Sequence, residues 1–305
     1  MKIDERDNKG KTALIRAAQE GQTDTVKLLL DEGADIEARD DSGCTVLIWA
    51  AVTGQTDSVK LLLDEGVDIE ARDNADRTAL IWAAVTGHTD TVKLLIDEGA
   101  NIEARDKTDY TALMWAAVRG HTDTVKVLID EGADIEARDN SGWTALWAAT
   151  GYTDTVKLLL DEGASIEARD HDGCTALIWV ASVGHPNVVK LLLNEGANIE
   201  AKDNFGWTAL IWAAQGGHTD IVKVLIDEGA NIEARDNFGC TVLMFAAELG
   251  HTDIVKLLID EDANIEARDD DGWTALMRAV EHDQTDTVEL LLDEGADIDA
   301  MDKVW

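Results

Sequence analysis

The chain has 305 residues, of which 45% are hydrophobic and 29% are charged, a composition that is ordinary for a packed protein and argues against disorder. With 26 Lys and Arg residues against 62 Asp and Glu residues, the formal charge is −36. This charge disfavours binding to nucleic acid or to anionic membranes and favours cationic partners, although solubility alone would also explain it.

Neither a membrane segment nor a signal peptide is evident in the sequence. Every apolar run falls well short of the roughly 18 residues of a membrane span, and the first residues, MKIDE, do not resemble a signal peptide. We therefore expect an intracellular protein, cytoplasmic or nuclear.

A 33-residue repeat runs through the chain. The stretch from Arg72 to Ala104 reads RDNADRTALIWAAVTGHTDTVKLLIDEGANIEA, and its TAL, AA, TD, VK and IEARD segments recur at this period. Such a period is typical of stacked repeats that contact only their neighbours, so we predict a single domain over residues 1–305 and a monomer. Repeats one to nine occupy residues 6–38, 39–71, 72–104, 105–137, 138–168, 169–201, 202–234, 235–267 and 268–300, and residues 301–305 begin a truncated tenth.

Each repeat predicts a turn and two helices. In repeat three, residues 73–77 are turn-like, and Thr78 precedes a short helix that Gly87 closes. Thr89 is the predicted N-cap of a longer second helix, with Val92, Leu95 and Ile96 as its buried stripe. Gly99 stands where a left-handed C-cap is expected.

This arrangement resembles the ankyrin repeats. The segments DNSGWTAL in repeat five and GHPNVVKLLLNEGANIEA in repeat six follow the family pattern. Ala replaces the Pro of the family's TPLH motif, Ile or Met replaces its His, and Glu replaces the usual Asn near the end of each repeat. The resemblance implies an all-α, ankyrin-type helix-turn-helix repeat solenoid with projecting β-turn or loop fingers. It also implies a concave protein-binding surface formed by the turns and the first helices.

Three irregularities interrupt the repeats. Repeat five reads TALWAATGYTDT and lacks one residue inside its first helix and another just after it, which predicts a kinked or shortened helix. Asp262 replaces the capping glycine of repeat eight, at a predicted cost of about 1 kcal/mol. Pro186 is tolerated only at the start of its helix.

One aromatic residue per repeat occupies the same place in most of the first helices. Trp82 lies about 200° from Leu80 around the helix, which predicts that it points toward the concave surface. Packing between repeats and direct partner contact both explain the series, and the Arg residues at its two ends favour packing. The series consists of Trp49, Trp82, Trp115, Trp147, Trp179, Trp212 and Phe245, with Arg16 and Arg278 at the ends.

Positions that vary between the repeats are the better candidates for specificity, and the turn tips become aromatic toward the C-terminus. Mutual covering of the rings by neighbouring turns is the alternative explanation. The predicted partner-binding residues are Phe205, Trp207, Trp212, Phe238, Phe245, Leu249, Trp273, Trp143 and Tyr110.

No catalytic, cofactor or metal site is predicted. The sequence contains no recurring nucleophile with its base and no glycine-rich phosphate loop. Histidines come one per repeat without a second ligand nearby, and a bond to loop backbone is expected for them instead; they are His88, His121, His185, His218 and His251. Cys44, Cys174 and Cys240 occupy one position in three separate repeats, too far apart for a disulfide, as in a reducing compartment.

Two functions remain open from the sequence. The first is a non-catalytic protein-interaction scaffold that binds a protein or peptide with basic and apolar groups. The second, suggested by the near-identical repeats, is an engineered or reconstructed array without a native partner. A weaker third possibility is an inhibitory or adaptor segment of a larger protein.

Overall fold

The structure, a computed structural model, describes residues 3–299, which contain eighteen helices and a single isolated bridge between Arg235 and Thr241. The predicted beginning of a tenth repeat, residues 301–305, lies outside the described residues. Contacts divide the chain into two compact units, Met1–Ser165 and Ile166–Trp305.

Unit 1 holds five helix pairs and unit 2 holds four. The helices of unit 1 are α1 (Ala13–Gln19), α2 (Thr23–Asp31), α3 (Val46–Val52), α4 (Thr56–Asp64), α5 (Ala79–Thr86), α6 (Thr89–Asp97), α7 (Ala112–Val118), α8 (Thr122–Asp130), α9 (Ala145–Ala148) and α10 (Thr153–Asp161). Those of unit 2 are α11 (Ala176–Val183), α12 (Pro186–Asn194), α13 (Ala209–Gln215), α14 (Thr219–Asp227), α15 (Val242–Glu248), α16 (Thr252–Asp260), α17 (Ala275–Glu281) and α18 (Thr285–Asp293).

The first helix of each repeat is short and mostly apolar, and a threonine hydroxyl caps it in every repeat except the fifth. In α5 the Thr78 hydroxyl accepts the backbone N–H of Ile81 at 3.3 Å, and the helix ends at Gly87, whose φ of 75° is left-handed as predicted. Leu80 and Ala83 are fully buried. The small alanine side chains allow the second helix to pack closely.

The N-cap of the second helix lies one residue earlier than predicted. The N-cap of α6 is His88, and Thr89 is the first helical residue, so the predicted N-cap was wrong. The Thr89 hydroxyl instead pairs with that of Thr124 in the next repeat at 2.8 Å. Thr91 is buried, with its hydroxyl 2.9 Å from that of Thr56 in the preceding repeat, and Ile96 is only half-buried, contrary to the predicted stripe. Gly99 has the expected left-handed φ, 90°.

Within each unit, helices pack on the equivalent helices of the adjacent repeats. In unit 1 the first helices α1, α3, α5, α7 and α9 form one layer and the second helices form another. Unit 2 repeats the arrangement with α11, α13, α15 and α17 in its first layer. Glutamates that replace the family's Asn join the repeats, since Glu70 accepts the backbone N–H of Asn101 at 2.7 Å.

Repeat five departs from the others, as predicted. Helix α9 is only four residues long, and the Thr144 hydroxyl, which would cap it, is buried without a hydrogen-bond partner among the described residues. The deletion also moves Trp147 into the core position that Ile81 occupies in repeat three, where it is 1% exposed. The prediction that Trp147 points toward the binding surface was therefore wrong.

The backbone at the two other irregular positions, Asp262 and Pro186, is as predicted. Asp262 has a left-handed φ of 66°, as do Asp76 and Asp109 at turn positions where other repeats carry glycine. Pro186 is the first residue of α12. No described helix is both long and apolar enough to span a bilayer.

Candidate functional site

An aspartate organises the turn that precedes each first helix. In repeat seven, Oδ1 of Asp203 accepts the backbone N–H groups of Phe205 at 2.9 Å and Trp207 at 2.8 Å. The same aspartate donates its own N–H to the carbonyl of Trp207 at 3.0 Å. We call the residues at this position the turn aspartates: Asp7, Asp40, Asp73, Asp106, Asp139, Asp170, Asp203, Asp236 and Asp269.

The second carboxylate oxygen of most turn aspartates binds the residue of the tryptophan series. Trp212 donates its Nε1–H to Oδ2 of Asp203 at 2.9 Å, and the same bond recurs in repeats two, three and four. In the end repeats the arginines replace the indole, and Arg278 donates to Oδ2 of Asp269 at 2.8 Å. These rings therefore anchor the turn of their own repeat, a role that helical periodicity did not reveal.

In some repeats the residue four positions after the turn aspartate covers the ring of the following repeat. In repeats one and three this residue is cationic: Lys11 Nζ lies 3.2 Å from the ring centroid of Trp49, and the Arg77 guanidinium lies 4.7 Å from that of Trp115. In unit 2 this position is Trp207 in repeat seven, whose ring centroid lies 4.6 Å from that of Phe245. Trp207 also lies 4.7 Å from Trp212.

The structure brings five of the predicted partner-binding residues together in unit 2. Trp207, Trp212 and Phe245 form a half-buried ring cluster, and two exposed phenylalanines occupy the same position in consecutive turns. Phe205 is 54% exposed and Phe238 is 67% exposed. We call these residues the aromatic patch: Phe205, Trp207, Trp212, Phe238 and Phe245.

Hydrogen bonds between successive turns fix the backbone of the two exposed phenylalanines. The Phe205 carbonyl accepts the N–H of Asn237 at 3.0 Å, and the Phe238 carbonyl accepts that of Asp270 at 3.0 Å. The Asn237 side chain donates to the carbonyl of Asn204 at 3.0 Å. Because hydrogen bonds already fix the backbone of these turns, binding of a partner would cost little conformational entropy there.

The remaining predicted partner-binding residues lie outside the aromatic patch. Leu249 follows α15 and is 42% exposed. Trp273 lies beneath Arg278, whose guanidinium is 5.5 Å from its ring centroid. Tyr110 and Trp143 belong to unit 1 and pack within their own repeats, 5.2 Å from Trp115 and 5.4 Å from Trp147 respectively.

Two carboxylates of unit 2 bind the arginine that ends the series of rings. Arg278 contacts both Asp269 and Glu248, at 2.8 and 3.4 Å. Burial alone would raise the pKa of Asp269, but hydrogen bonds from Arg278 and from the backbone of Trp273 outweigh it and hold this pKa below 3.8. The carboxylate is therefore ionised at neutral pH.

The cysteines are unreactive packing residues. All three are free thiols, and burial raises the pKa of Cys44, Cys174 and Cys240 to about 12. A thiol with so high a pKa is a poor nucleophile at neutral pH.

The histidines between helices bind loop backbone, as predicted for them, in four of the five repeats. His88 Nε2 lies 3.2 Å from the carbonyl of Val52 in the preceding repeat. Gly54 permits this approach because its φ is 69° and a Cβ there would lie 2.5 Å from the His88 ring. The equivalent bonds join His121, His218 and His251 to the carbonyls of Val85, Ser182 and Gln215. Within residues 3–299, no group of His, Cys, Asp and Glu side chains is arranged to hold a metal ion.

An apolar groove of about 470 Å³ lies on the last described helix pair. Trp273, Leu276 and Met277 form its floor, and Val280 and Ile298 are exposed at its edge. It is the face of repeat nine that an adjacent repeat covers elsewhere in unit 2.

Comparison with known proteins agrees with these repeat geometries. The family model of ankyrin repeats (3 copies) matches residues 1–73, 24–106, 69–139, 102–170, 151–236 and 228–302. No curated protein matches the chain significantly. Because the matches cover almost the whole sequence and each unit is an all-α solenoid of turn and helix-pair repeats, the chain belongs to the ankyrin repeat family, whose members generally act in protein–protein interaction.

Proposed function

We propose that the chain is a non-catalytic protein-interaction scaffold that binds a basic and apolar protein or peptide through the aromatic patch of unit 2. The observation that carries this proposal is the pair of exposed rings, Phe205 and Phe238, on consecutive hydrogen-bonded turns. Large aromatic side chains are enriched at the energetic centres of interfaces, and exposed apolar patches mark binding sites.

The geometry supports binding on the face of turns and first helices, the face that is concave in the ankyrin family. Phe205, Trp207 and Phe238 stand at the turns, and Trp212 and Phe245 lie on the first helices α13 and α15. A partner that crosses two repeats would contact both exposed rings and the half-buried cluster beneath. The rings of the cluster cover one another, whereas Phe205 and Phe238 remain open.

Charge supports a basic partner. The net charge is −36, and Glu248 lies three residues after Phe245 on α15. Complementary charge accelerates association and disfavours acidic competitors. The partner surface that fits best therefore combines Arg or Lys with aliphatic or aromatic groups.

The side chains that could do chemistry have structural partners instead. Turn aspartates bind backbone N–H groups, His88 and its equivalents bind carbonyls, and the cysteine thiols remain protonated. This supports a binding role over a catalytic one. Protonated free thiols also fit the proposed cytoplasmic or nuclear location.

The test is selection of peptides from a random displayed library on the immobilised full chain. A Phe205→Ser, Phe238→Ser double variant removes the exposed rings without disturbing the cluster beneath, whereas Trp207→Ala would remove two ring contacts. Leu28→Ser is the matched control because Leu28 is 59% exposed in unit 1. We expect peptides rich in basic and apolar residues that the control retains and the double variant loses. Equal enrichment on all three proteins would refute the proposed site.

A further inference from the structure

Repeat eight lacks a hydrogen-bond donor that its neighbours in unit 2 supply. Oδ1 of Asp236 accepts the N–H groups of Phe238 and Cys240 at 2.9 and 2.8 Å, as in the other turns. At the place of the indole, however, stands Phe245, which has no N–H group. Among the described residues no group donates to Oδ2 of Asp236; the residue is 9% exposed, and this oxygen keeps some area open to solvent, where a partner could reach it.

A partly buried carboxylate oxygen without a donor in the chain can accept a hydrogen bond from a partner. A donor that carries positive charge would form the strongest such bond. The phenyl ring of Phe245 is also smaller than an indole and has no Nε1 edge.

The chain itself shows which group fits an Oδ2 atom of this kind. In repeat one, Arg16 donates to Oδ2 of Asp7 through Nε at 2.9 Å, and in repeat nine Arg278 donates to the corresponding atom of Asp269. Arg77 reaches Oδ2 of Asp106 at 3.3 Å while its guanidinium lies against the Trp115 ring. Three arginines thus occupy this chemical environment in other repeats.

The surroundings of Asp236 favour arginine over lysine. The ring centroids of Trp207 and Phe245 lie 4.6 Å apart, and Phe245 holds the position from which Trp212 reaches Asp203 in repeat seven. A guanidinium can stack on such a ring while it donates in its own plane. Arg278 is engaged by Asp269 and Glu248, so the summed charge of Asp236, Asp269, Glu248 and Arg278 is negative.

We propose that Asp236, Trp207 and Phe245 form a receptor for one arginine side chain of the partner, whose guanidinium donates to Oδ2 of Asp236 and stacks on the rings. This inference rests on the proposed function and specifies the partner residue that the site recognises. Phe238, exposed on the same turn, would contact the apolar residues beside that arginine.

The test is titration of the isotope-labelled full chain with acetyl-arginine amide, followed by backbone and indole NMR signals. Acetyl-citrulline amide is the matched probe, because it has the same shape without the charge. The decisive variant is Phe245→Trp, which restores the residue of repeats two, three, four and seven and supplies the missing N–H. We expect saturable shifts at Asp236, Cys240 and the Trp207 indole with arginine.

Binding should weaken by at least about fivefold with citrulline and by a similar factor in the Phe245→Trp variant, the range expected for one charge-assisted hydrogen bond at a partly exposed site. Equal response to both probes, or unchanged arginine binding in the variant, would overturn the inference. Arginine binding that persists while peptide selection shows no dependence on Phe205 and Phe238 would refute the proposed function alone. The reverse result would refute only the arginine receptor.

Discussion

The indole Nε1 of Trp82 donates to Oδ2 of Asp73, nine residues earlier, at 2.9 Å. Oδ1 of the same aspartate accepts two backbone N–H groups of its turn, from Ala75 and Arg77. One carboxylate thus ties the turn to the first helix. The group that binds the second oxygen varies: it is an indole in repeats two, three, four and seven and a guanidinium in the two end repeats, and repeat eight has neither. This difference separates scaffold from candidate site.

Replacing Trp82 by Phe should lower the free energy of unfolding by about 1–2 kcal/mol, because it leaves a buried acceptor without a donor. Trp115→Phe should cost less, since Oδ2 of Asp106 keeps the bond from Arg77. Urea denaturation of both variants beside the unaltered protein provides the comparison. Equal losses in the two variants would show that ring packing, not the hydrogen bond, supplies the stability.

Asp262→Gly should stabilise the chain by about 0.5–1 kcal/mol. Asp262 holds a φ of 66°, which glycine adopts without strain. Gly229, the equivalent position in repeat seven, has a φ of 88° and no atom near its absent Cβ, so Gly229→Asp should destabilise by a similar amount. Thermal denaturation midpoints measure both changes. A loss of stability in Asp262→Gly would mean that the Asp side chain has a stabilising role of its own.

Acid should weaken the turn of repeat nine. The folded pKa of Asp269 lies below the ordinary 3.8, so its ionised form contributes stability above pH 3.8 that is lost as pH falls through the lower folded pKa. Arg278→Met removes the largest stabilising hydrogen bond, and burial should then raise this pKa. Carboxyl-carbon NMR titration of both proteins would report it. A pKa unchanged by the substitution would contradict the assigned cause.

The thiols should resist alkylation in the folded protein. Burial raises the pKa of Cys44, Cys174 and Cys240 to about 12, so the thiolate fraction at pH 8 is on the order of a thousandfold smaller than for an ordinary thiol. Labelling with iodoacetamide, followed by mass spectrometry, should be fast only in denaturant. Cys174, the least buried, should react first. Rapid labelling of folded Cys44 would contradict this environment.

Periodicity was sufficient to predict the helix pairs, because Leu80, Ala83, Val92 and Leu95 are determined by packing that repeats with the chain. It also predicted the short first helix of repeat five, since a missing residue must shift the helical face. The family match confirms the repeat fold, while a single domain over residues 1–305 remains a prediction.

Periodicity could not predict which polar side chains bond to other repeats or to other elements of their own repeat. Thr89 looks like an N-cap in sequence, but its hydroxyl bonds the next repeat, 35 residues away. The role of the turn aspartates was also missed, although an Asp nine residues before Trp49, Trp82, Trp115, Trp179 and Trp212 is visible in the sequence. That spacing crosses from a turn to a helix, where local rules do not apply.

We propose that the exposed rings of repeats seven and eight, Phe205 and Phe238, bind a basic and apolar partner. The most direct test measures the dissociation constant of one library-selected peptide for three proteins. They are the unaltered chain, the double variant Phe205→Ser, Phe238→Ser, and the control Leu28→Ser. We expect the double variant to weaken binding by at least about thirtyfold, as for hot-spot residues, while the control leaves it unchanged. Equal dissociation constants for the three proteins would contradict it.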